Sequence, residues 1–212
     1  MQIAISHLLE KENVSPENLQ LFGDSASGHL VYQFISQILH PRDDLPRYEL
    51  PSKLGGICLL SPGFDLIGHS WDLTDKSSFE NKRYEKDCLS PALLTAWGQQ
   101  TFGHASREHR AYFTPLLAPI GWLDEIGKIS SRWLITAGAE ETLCDPIVAV
   151  YERQFKPVKQ CRNVDVQLYV QPDGIHEDGL LDFMFHDNPE SNPLSQLVWG
   201  WLSNDVEQKR RA

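Results

Sequence analysis

The interpretation of this sequence depends on the stretch Leu19–Leu39, which reads LQLFGDSASGHLVYQFISQIL. It begins with a short apolar run, Leu19–Phe22, and the small residues Gly-Asp-Ser-Ala-Ser-Gly follow at positions 23–28. Beyond them, apolar residues recur at helical spacings, which predicts a helix with a single apolar stripe. The stretch therefore predicts a strand, a sharp turn and a helix, with Ser25 in the turn.

A serine in such a turn has two ordinary roles. It can be an exposed nucleophile beside the N-terminus of a helix, whose partial positive charge stabilises an oxyanion. Alternatively, Ser25 only caps the helix. The nucleophile pattern G-x-S-x-G is met at Gly23 and Ser25, but Ser27 replaces the last glycine and Gly28 comes one position later. We favour the nucleophile, because a strand and a helix flank the turn and candidate partners follow along the chain.

Composition is that of one globular domain with a substantial core. The chain has 212 residues, of which 41% are hydrophobic, and a formal net charge of −10. Basic residues are scattered apart from the triplet 209–211, which argues against nucleic acid or an anionic membrane as a partner. The sequence contains no apolar run long enough to span a bilayer.

The cysteines predict neither a metal site nor a secreted protein. Their spacing is not C-x-x-C and is not matched by paired histidines, so we expect no zinc site. Residues 1–14 lack the basic opening and long apolar core of a signal peptide. We therefore expect a cytoplasmic protein. The four cysteines of the chain are Cys58, Cys88, Cys144 and Cys161.

Periodicity predicts alternating helices and strands, which is typical of a parallel sheet with helices on both faces. The predicted strands are 19–22, 57–60, 133–136 and 164–170, and the predicted helices are 2–10, 28–39, 91–102, 146–155 and 194–202. The last strand alternates polar and apolar residues, as a strand at a sheet edge does. We expect a single domain, 1–212, of the α/β class.

The segment 61–131 is longer than a simple crossover between parallel strands requires, so we interpret it as a cap-like insertion. It contains Trp71, Trp97 and Trp122, half of the six tryptophans in the chain. This density predicts either an apolar cover over a pocket near Ser25 or a satellite core beneath a long loop.

Two further loops at predicted strand ends carry the partners that a nucleophilic serine needs. Serine requires a base to take its proton and a buried acid to orient that base. The acid candidates are Glu140, Glu141 and Asp145, and the base candidate is His176. The order serine, acid, histidine along the chain is the order found in α/β-hydrolases.

Five motifs in the same order resemble the hormone-sensitive-lipase-like branch of the α/β-hydrolase fold, a group of esterases and deacetylases that includes fungal members. They are GDSASG at 23–28, LLSPGFDL at 59–66, YFTPLLAP at 112–119, LITAGAEETLCD at 134–145 and GIH at 174–176. The corresponding family patterns are GDSAGG, LLSPWxxL, YxSPLxAP, a TAG segment followed by acid-x-L-x-D, and GxH.

The resemblance implies a role for each candidate. It makes Ser25 the nucleophile, Glu141 the acid and His176 the base, with the N–H of Ala26 in the oxyanion hole. We expect His29, on the helix after the turn, to be structural, and His186, which lies outside the matching motifs, is a weaker alternative to His176 as the base. The family also has several strands and an H-G-G-G loop ahead of the nucleophile, and this sequence contains no H-G-G-G. That departure predicts a shortened chain with an incomplete oxyanion hole.

Two hypotheses follow for the function. The first is a hydrolase of small carboxylic esters, with acetyl or short acyl groups and apolar character, that forms an acyl-serine intermediate and uses neither metal nor cofactor. A transacylase using the same serine is a variant of it. The second is a non-catalytic binding protein of the same fold.

Since Leu19–Phe22 would form an unpaired apolar edge, we also expect self-association.

Overall fold

The computed structural model describes residues 1–66, 85–162, 164–185 and 188–211. The strands are β1 (Gln20–Asp24), β2 (Gly56–Leu60), β3 (Arg132–Gly138) and β4 (Asp165–Gln171). The α-helices are α1 (Gln2–Glu10), α2 (Ser25–Leu39), α3 (Pro91–Phe102), α4 (Arg110–Phe113), α5 (Cys144–Val150), α6 (Lys156–Arg162), α7 (Asp178–Phe185) and α8 (Pro193–Arg211). A π-helical turn, Tyr151–Phe155, joins α5 to α6.

The four strands form one parallel sheet in the order β1-β2-β3-β4, which confirms the predicted α/β class. β1 and β4 are the outer strands among the described residues, as predicted for 19–22 and 164–170. Because all strands run in one direction, the four loops that follow them meet at one edge of the sheet.

Each face of the sheet has its own apolar cover. Ile57, Leu59 and Ile135 point into the larger core, which includes the apolar side of α2 and residues of α5 and α6. Cys58 and Leu134 point the opposite way and pack with Trp201 of α8. Burial on both faces explains why β2 and β3 are continuously apolar.

The turn between β1 and α2 depends on two glycines. A Cβ atom at Gly23 would lie 2.7 Å from the carbonyl oxygen of Ser27, and one at Gly28 would lie 2.9 Å from Pro62 Cβ. Both positions therefore need glycine for the strand, the helix and the next loop to approach closely.

Helix α2 begins at Ser25, three residues earlier than the predicted start at Gly28. Asp24 and Ser27 form a reciprocal cap: the N–H of Asp24 donates to Ser27 Oγ (2.9 Å), and the Asp24 side chain accepts from the backbone of Ser27. Ser27, which departs from the usual glycine, thus stabilises the first turn of the helix.

Two expectations about the chain need correction. Helix α7 is missing from the predicted elements; it has only eight residues, none of them buried, and Phe183 and Met184 are 61% and 73% exposed. Trp122 lies far from Ser25: its ring stacks on His40, at the opposite end of α2, with 3.6 Å between ring centroids. Trp97 is half exposed, and Trp71 lies outside the described residues.

Candidate active site

The loops after β1, β3 and β4 bring Ser25, Glu141 and His176 together. His176 Nε2 lies 2.8 Å from Ser25 Oγ, within hydrogen-bond distance. On the other side of the ring, His176 Nδ1 lies 3.4 Å from Glu141 Oε2. The histidine therefore stands between the hydroxyl and the carboxylate, one ring nitrogen facing each.

Ser25 is held in an uncommon backbone conformation. Its φ angle is 47°, in the left-handed region that non-glycine residues occupy at a cost of about 1–3 kcal/mol. The loop after β2 holds it there, because the N–H of Gly63 donates to the carbonyl oxygen of Ser25 (3.0 Å). His29 in turn lies 2.6 Å, through Nδ1, from the carbonyl oxygen of Gly63. The turn is thus fixed by the neighbouring loop as well as by its own glycines.

Glu141 is distinguished from the other acid candidates by its burial. Its side chain is fully buried, whereas Glu140 is partly exposed and pairs with Lys86 at 3.1 Å. Asp145 lies in the first turn of α5. Burial raises the pKa of the Glu141 carboxyl, and its interactions with His176 and with the Ser61 hydroxyl counteract that rise. Of the three acids, Glu141 is the one that faces His176.

His176 is buried among acidic groups. Burial alone lowers its pKa, but Glu141, then Glu177 and Asp87, outweigh that effect and hold the pKa above its ordinary value. Glu177 Oε1 lies 3.8 Å from His176 Nε2. In the neutral ring that this geometry suits, Nδ1 carries the proton and faces Glu141, and Nε2 accepts from the Ser25 hydroxyl.

Sequence reasoning missed three contributors to the site. Ser61 has a φ of 41° and interacts with Glu141. Glu177 has a φ of 58° and lies 3.8 Å from His176 Nε2. Asp87 accepts hydrogen bonds from the N–H groups of Thr142 and His176. Ser61 lies in the conspicuous LLSPG stretch, but nothing local in the sequence of Asp87 or Glu177 indicates a role.

The other histidines are in different positions. His29 is 2% exposed, and burial lowers its pKa to about 4 despite its contact with Gly63, so it is neutral and supports the turn. His186, the other candidate, lies outside the described residues.

An anion could be stabilised beside Ser25 by the first turn of α2. The N–H of Ala26 belongs to this turn, whose N–H groups have no acceptor within the helix. Together with the helix dipole, this N–H group can stabilise a negative charge close to the Ser25 hydroxyl.

An apolar cavity of about 520 Å³ lies beside Ser61 and Glu177, between the sheet and helices α7 and α8. Its main apolar residues are Phe22, Leu60, Leu180, Phe183, Leu194, Val198 and Trp199. It therefore adjoins the histidine loop, and Glu177 belongs both to this cavity and to the surroundings of His176.

Within the described ranges, no group of three or more histidine, cysteine or acidic side chains is arranged to hold a metal ion. No helix in the part of the chain that the structure describes is long and apolar enough to cross a membrane.

Comparison with known proteins agrees with this architecture. The model of a family described as alpha/beta hydrolase fold matches residues 2–178, so the chain belongs to that family. No curated protein matches the chain.

Solved structures show the same fold at low sequence identity. A hormone-sensitive lipase from a metagenome library has a TM-score of 0.66 and 22% identity, with 96% of this chain and 60% of that chain covered. Carboxyl esterase 2 from the mycorrhizal fungus Tuber melanosporum has a TM-score of 0.64 and 15% identity, with coverages of 93% and 56%. An esterase/lipase from an uncultured bacterium has a TM-score of 0.61 and 20% identity, with coverages of 95% and 59%. This chain thus spans a little over half the length of these structures.

We predict that Glu177→Gln lowers the pKa of His176. Removing the carboxylate leaves less negative charge to stabilise the imidazolium, so the ring loses its proton at lower pH. An NMR titration of the His176 ring measures this directly and does not depend on turnover. Glu190→Gln is the control, because Glu190 lies on the same cavity but is not among the groups that raise the pKa of His176. A His176 pKa that stays the same or rises in Glu177→Gln would contradict the electrostatic account.

Proposed function

We propose that the protein is a serine hydrolase that cleaves carboxylic esters through an acyl-serine intermediate. The observation that carries this proposal is the contact of 2.8 Å between His176 Nε2 and Ser25 Oγ, with the buried Glu141 behind the ring. A base in contact with a serine hydroxyl, itself oriented by an acid, is the arrangement that makes serine nucleophilic.

In this proposal, His176 Nε2 takes the proton of Ser25 as Oγ attacks the ester carbonyl carbon. The carbonyl oxygen becomes an oxyanion facing the N–H of Ala26, and Glu141 stabilises the imidazolium. His176 then gives its proton to the departing alcohol, which leaves an acyl group on Ser25. Water, deprotonated by His176, attacks the acyl carbon, and release of the acid restores the Ser25 hydroxyl. No metal or cofactor takes part in these steps.

The cavity supports an apolar substrate of modest size: Ser25 and His176 do not line it, but Glu177, which does, lies 3.8 Å from His176. Its walls are largely side chains such as Leu180, Phe183 and Trp199, and its volume of about 520 Å³ is within the usual range for small-molecule sites. We therefore propose esters with acetyl or short acyl groups and an apolar remainder. The free cysteines Cys58 and Cys144 are consistent with a reducing compartment such as the cytoplasm.

Ser25→Ala should reduce kcat/KM for p-nitrophenyl acetate by about a thousandfold or more, because in this mechanism Ser25 carries the acyl intermediate. Ser52→Ala, at an exposed surface position, is the matched control and should retain wild-type hydrolysis. Hydrolysis at comparable rates in Ser25→Ala and wild type would place the activity elsewhere and overturn the proposal.

A non-catalytic binding protein of the same fold is the second candidate. The observations that favour it are the single identified oxyanion donor, Ala26, and the edge position of β1, where Phe22 is 45% exposed. Losing one donor from an oxyanion hole costs roughly a hundredfold to a thousandfold in rate. A strand that is outermost among the described residues and has a partly exposed apolar side chain favours association with another chain.

On this basis we expect the 212-residue chain to self-associate through β1, and Phe22→Lys to weaken that association. A charged side chain on an edge strand opposes burial against a second copy. Light scattering coupled to size exclusion at micromolar concentrations measures the mass. Ile120→Lys, which alters a residue that is 82% exposed elsewhere, is the control. A wild-type monomer under these conditions would contradict the expectation.

A further inference from the structure

A short piece of the insertion, residues 86–89, lies between the acid loop and the histidine loop. Lys86 pairs with Glu140 at 3.1 Å, and the Thr142 hydroxyl donates to the carbonyl oxygen of Leu89 (2.8 Å). The Cys88 thiol approaches the carbonyl oxygen of His176 at 3.7 Å. These contacts connect one segment to both loops that supply partners for Ser25, and Asp87 lies at its centre.

The Asp87 carboxylate accepts one hydrogen bond from each loop. Oδ2 accepts from the N–H of Thr142 at 2.7 Å, and Oδ1 accepts from the N–H of His176 at 3.0 Å. Oδ1 also accepts from the N–H of Cys88 at 2.8 Å, which fixes the carboxylate relative to its own backbone. Three N–H donors converge on two oxygens, an arrangement that suits an ionised carboxylate.

We propose that Asp87 is a positioning residue that holds Glu141 and His176 at the separation at which Glu141 can orient the His176 ring and stabilise its positive charge. Thr142 directly follows Glu141, and the other N–H belongs to His176 itself, so the carboxylate connects the backbones of the acid and the base. The inference rests on the proposed function, since it assigns Asp87 a role in the same reaction.

The two loops are already joined on one side by their backbones. The N–H of Glu140 donates to the carbonyl oxygen of Gly174 (2.8 Å), and the N–H of Ala139 donates to that of Gln171 (2.9 Å). Gly138 permits this approach, because a Cβ there would lie 2.4 Å from the carbonyl oxygen of Gly174. Those bonds precede the reacting residues in each loop, whereas Asp87 binds at and just beyond them.

Asparagine cannot replace Asp87 in this arrangement. Its amide has one acceptor oxygen, so its NH₂ group would face the N–H of either Thr142 or His176, and two donors would oppose each other. Glutamate keeps both acceptors but is one methylene longer, so it restores the charge without restoring the distances. The two variants therefore separate charge from position.

The test compares Asp87→Asn and Asp87→Glu with Asp173→Asn, an exposed position in the histidine loop whose φ of 57° asparagine tolerates. For Asp87→Asn we expect kcat for p-nitrophenyl acetate to fall by about 10- to 100-fold, with KM changed by less than about threefold, because misplacement affects the reacting groups. The acid limb of the pH profile should move to lower pH, since the charge of Asp87 raises the pKa of His176. Asp87→Glu should leave the limb near its wild-type position while kcat stays reduced.

Amide hydrogen exchange provides a readout that does not require turnover. In Asp87→Asn the amides of Thr142 and His176 should exchange at least about tenfold faster, while the amide of Ile135 in β3 stays protected.

If wild type hydrolyses no ester but these amides respond, the proposed function fails while the role of Asp87 in holding the loops stands. If Asp87→Asn does not fold, Asp87→Glu decides. Two results would overturn the inference. One is a kcat for Asp87→Glu equal to that of wild type. The other is an Asp87→Asn variant whose kcat and amide exchange rates match those of Asp173→Asn.

Discussion

The hydrogen bond between Ser25 and His176 joins residues 151 positions apart in the chain, and the rest of the structure makes that contact geometrically feasible. The two residues follow β1 and β4, the outer strands of the described sheet, which lie roughly 14 Å apart at normal strand spacing. Parallel strands place both loops at the same edge. The loop after β4 then has to cross the ends of β3 and β2, and the close backbone approach at Gly138 permits that crossing.

The same convergence creates an electrostatic constraint. Glu141 and His176 are almost fully removed from water, and burial disfavours the charged form of each. The negative charges near His176 counteract this effect and favour the imidazolium. A serine hydrolase needs that preference, because the histidine becomes positive as the serine attacks. In the proposed mechanism, the neighbouring acids also raise the pH below which His176 is protonated and unable to act as a base, so that mechanism favours neutral and alkaline conditions.

Much of the fold could be predicted from periodicity, because a sheet covered on both faces leaves continuous apolar runs in β2 and β3. Helix α7 was missed: it is only eight residues long, and none of its residues is buried. The first turn of α2 could not be predicted from the apolar stripe, because Ser25, Ala26 and Ser27 are small residues and Ser27 belongs to the helix cap. In each case the missing information was which surface a side chain would meet.

Ser25 and His176 could be selected from their order and their positions after strands, whereas only the family resemblance separated Glu141 from Glu140 and Asp145. The structure brings the three residues together. Their supporting residues could not be selected from the sequence. Asp87 comes from the insertion and Ser61 from the loop after β2, and their relation to Glu141 exists only in three dimensions. A contact of this kind has no period and no fixed spacing in the sequence, so only the folded chain reveals it.

The central claim is that His176 activates Ser25 in the folded protein, and covalent labelling with a fluorophosphonate tests it most directly. Peptide mapping by mass spectrometry should find one adduct, on Ser25, in the wild-type chain. His176→Gln, compared at the same temperature after its thermal transition has been checked, should label at least about a hundredfold more slowly, because the serine has lost its base. Failure of folded wild type to label at Ser25, or equal labelling rates in the two proteins, would contradict the account.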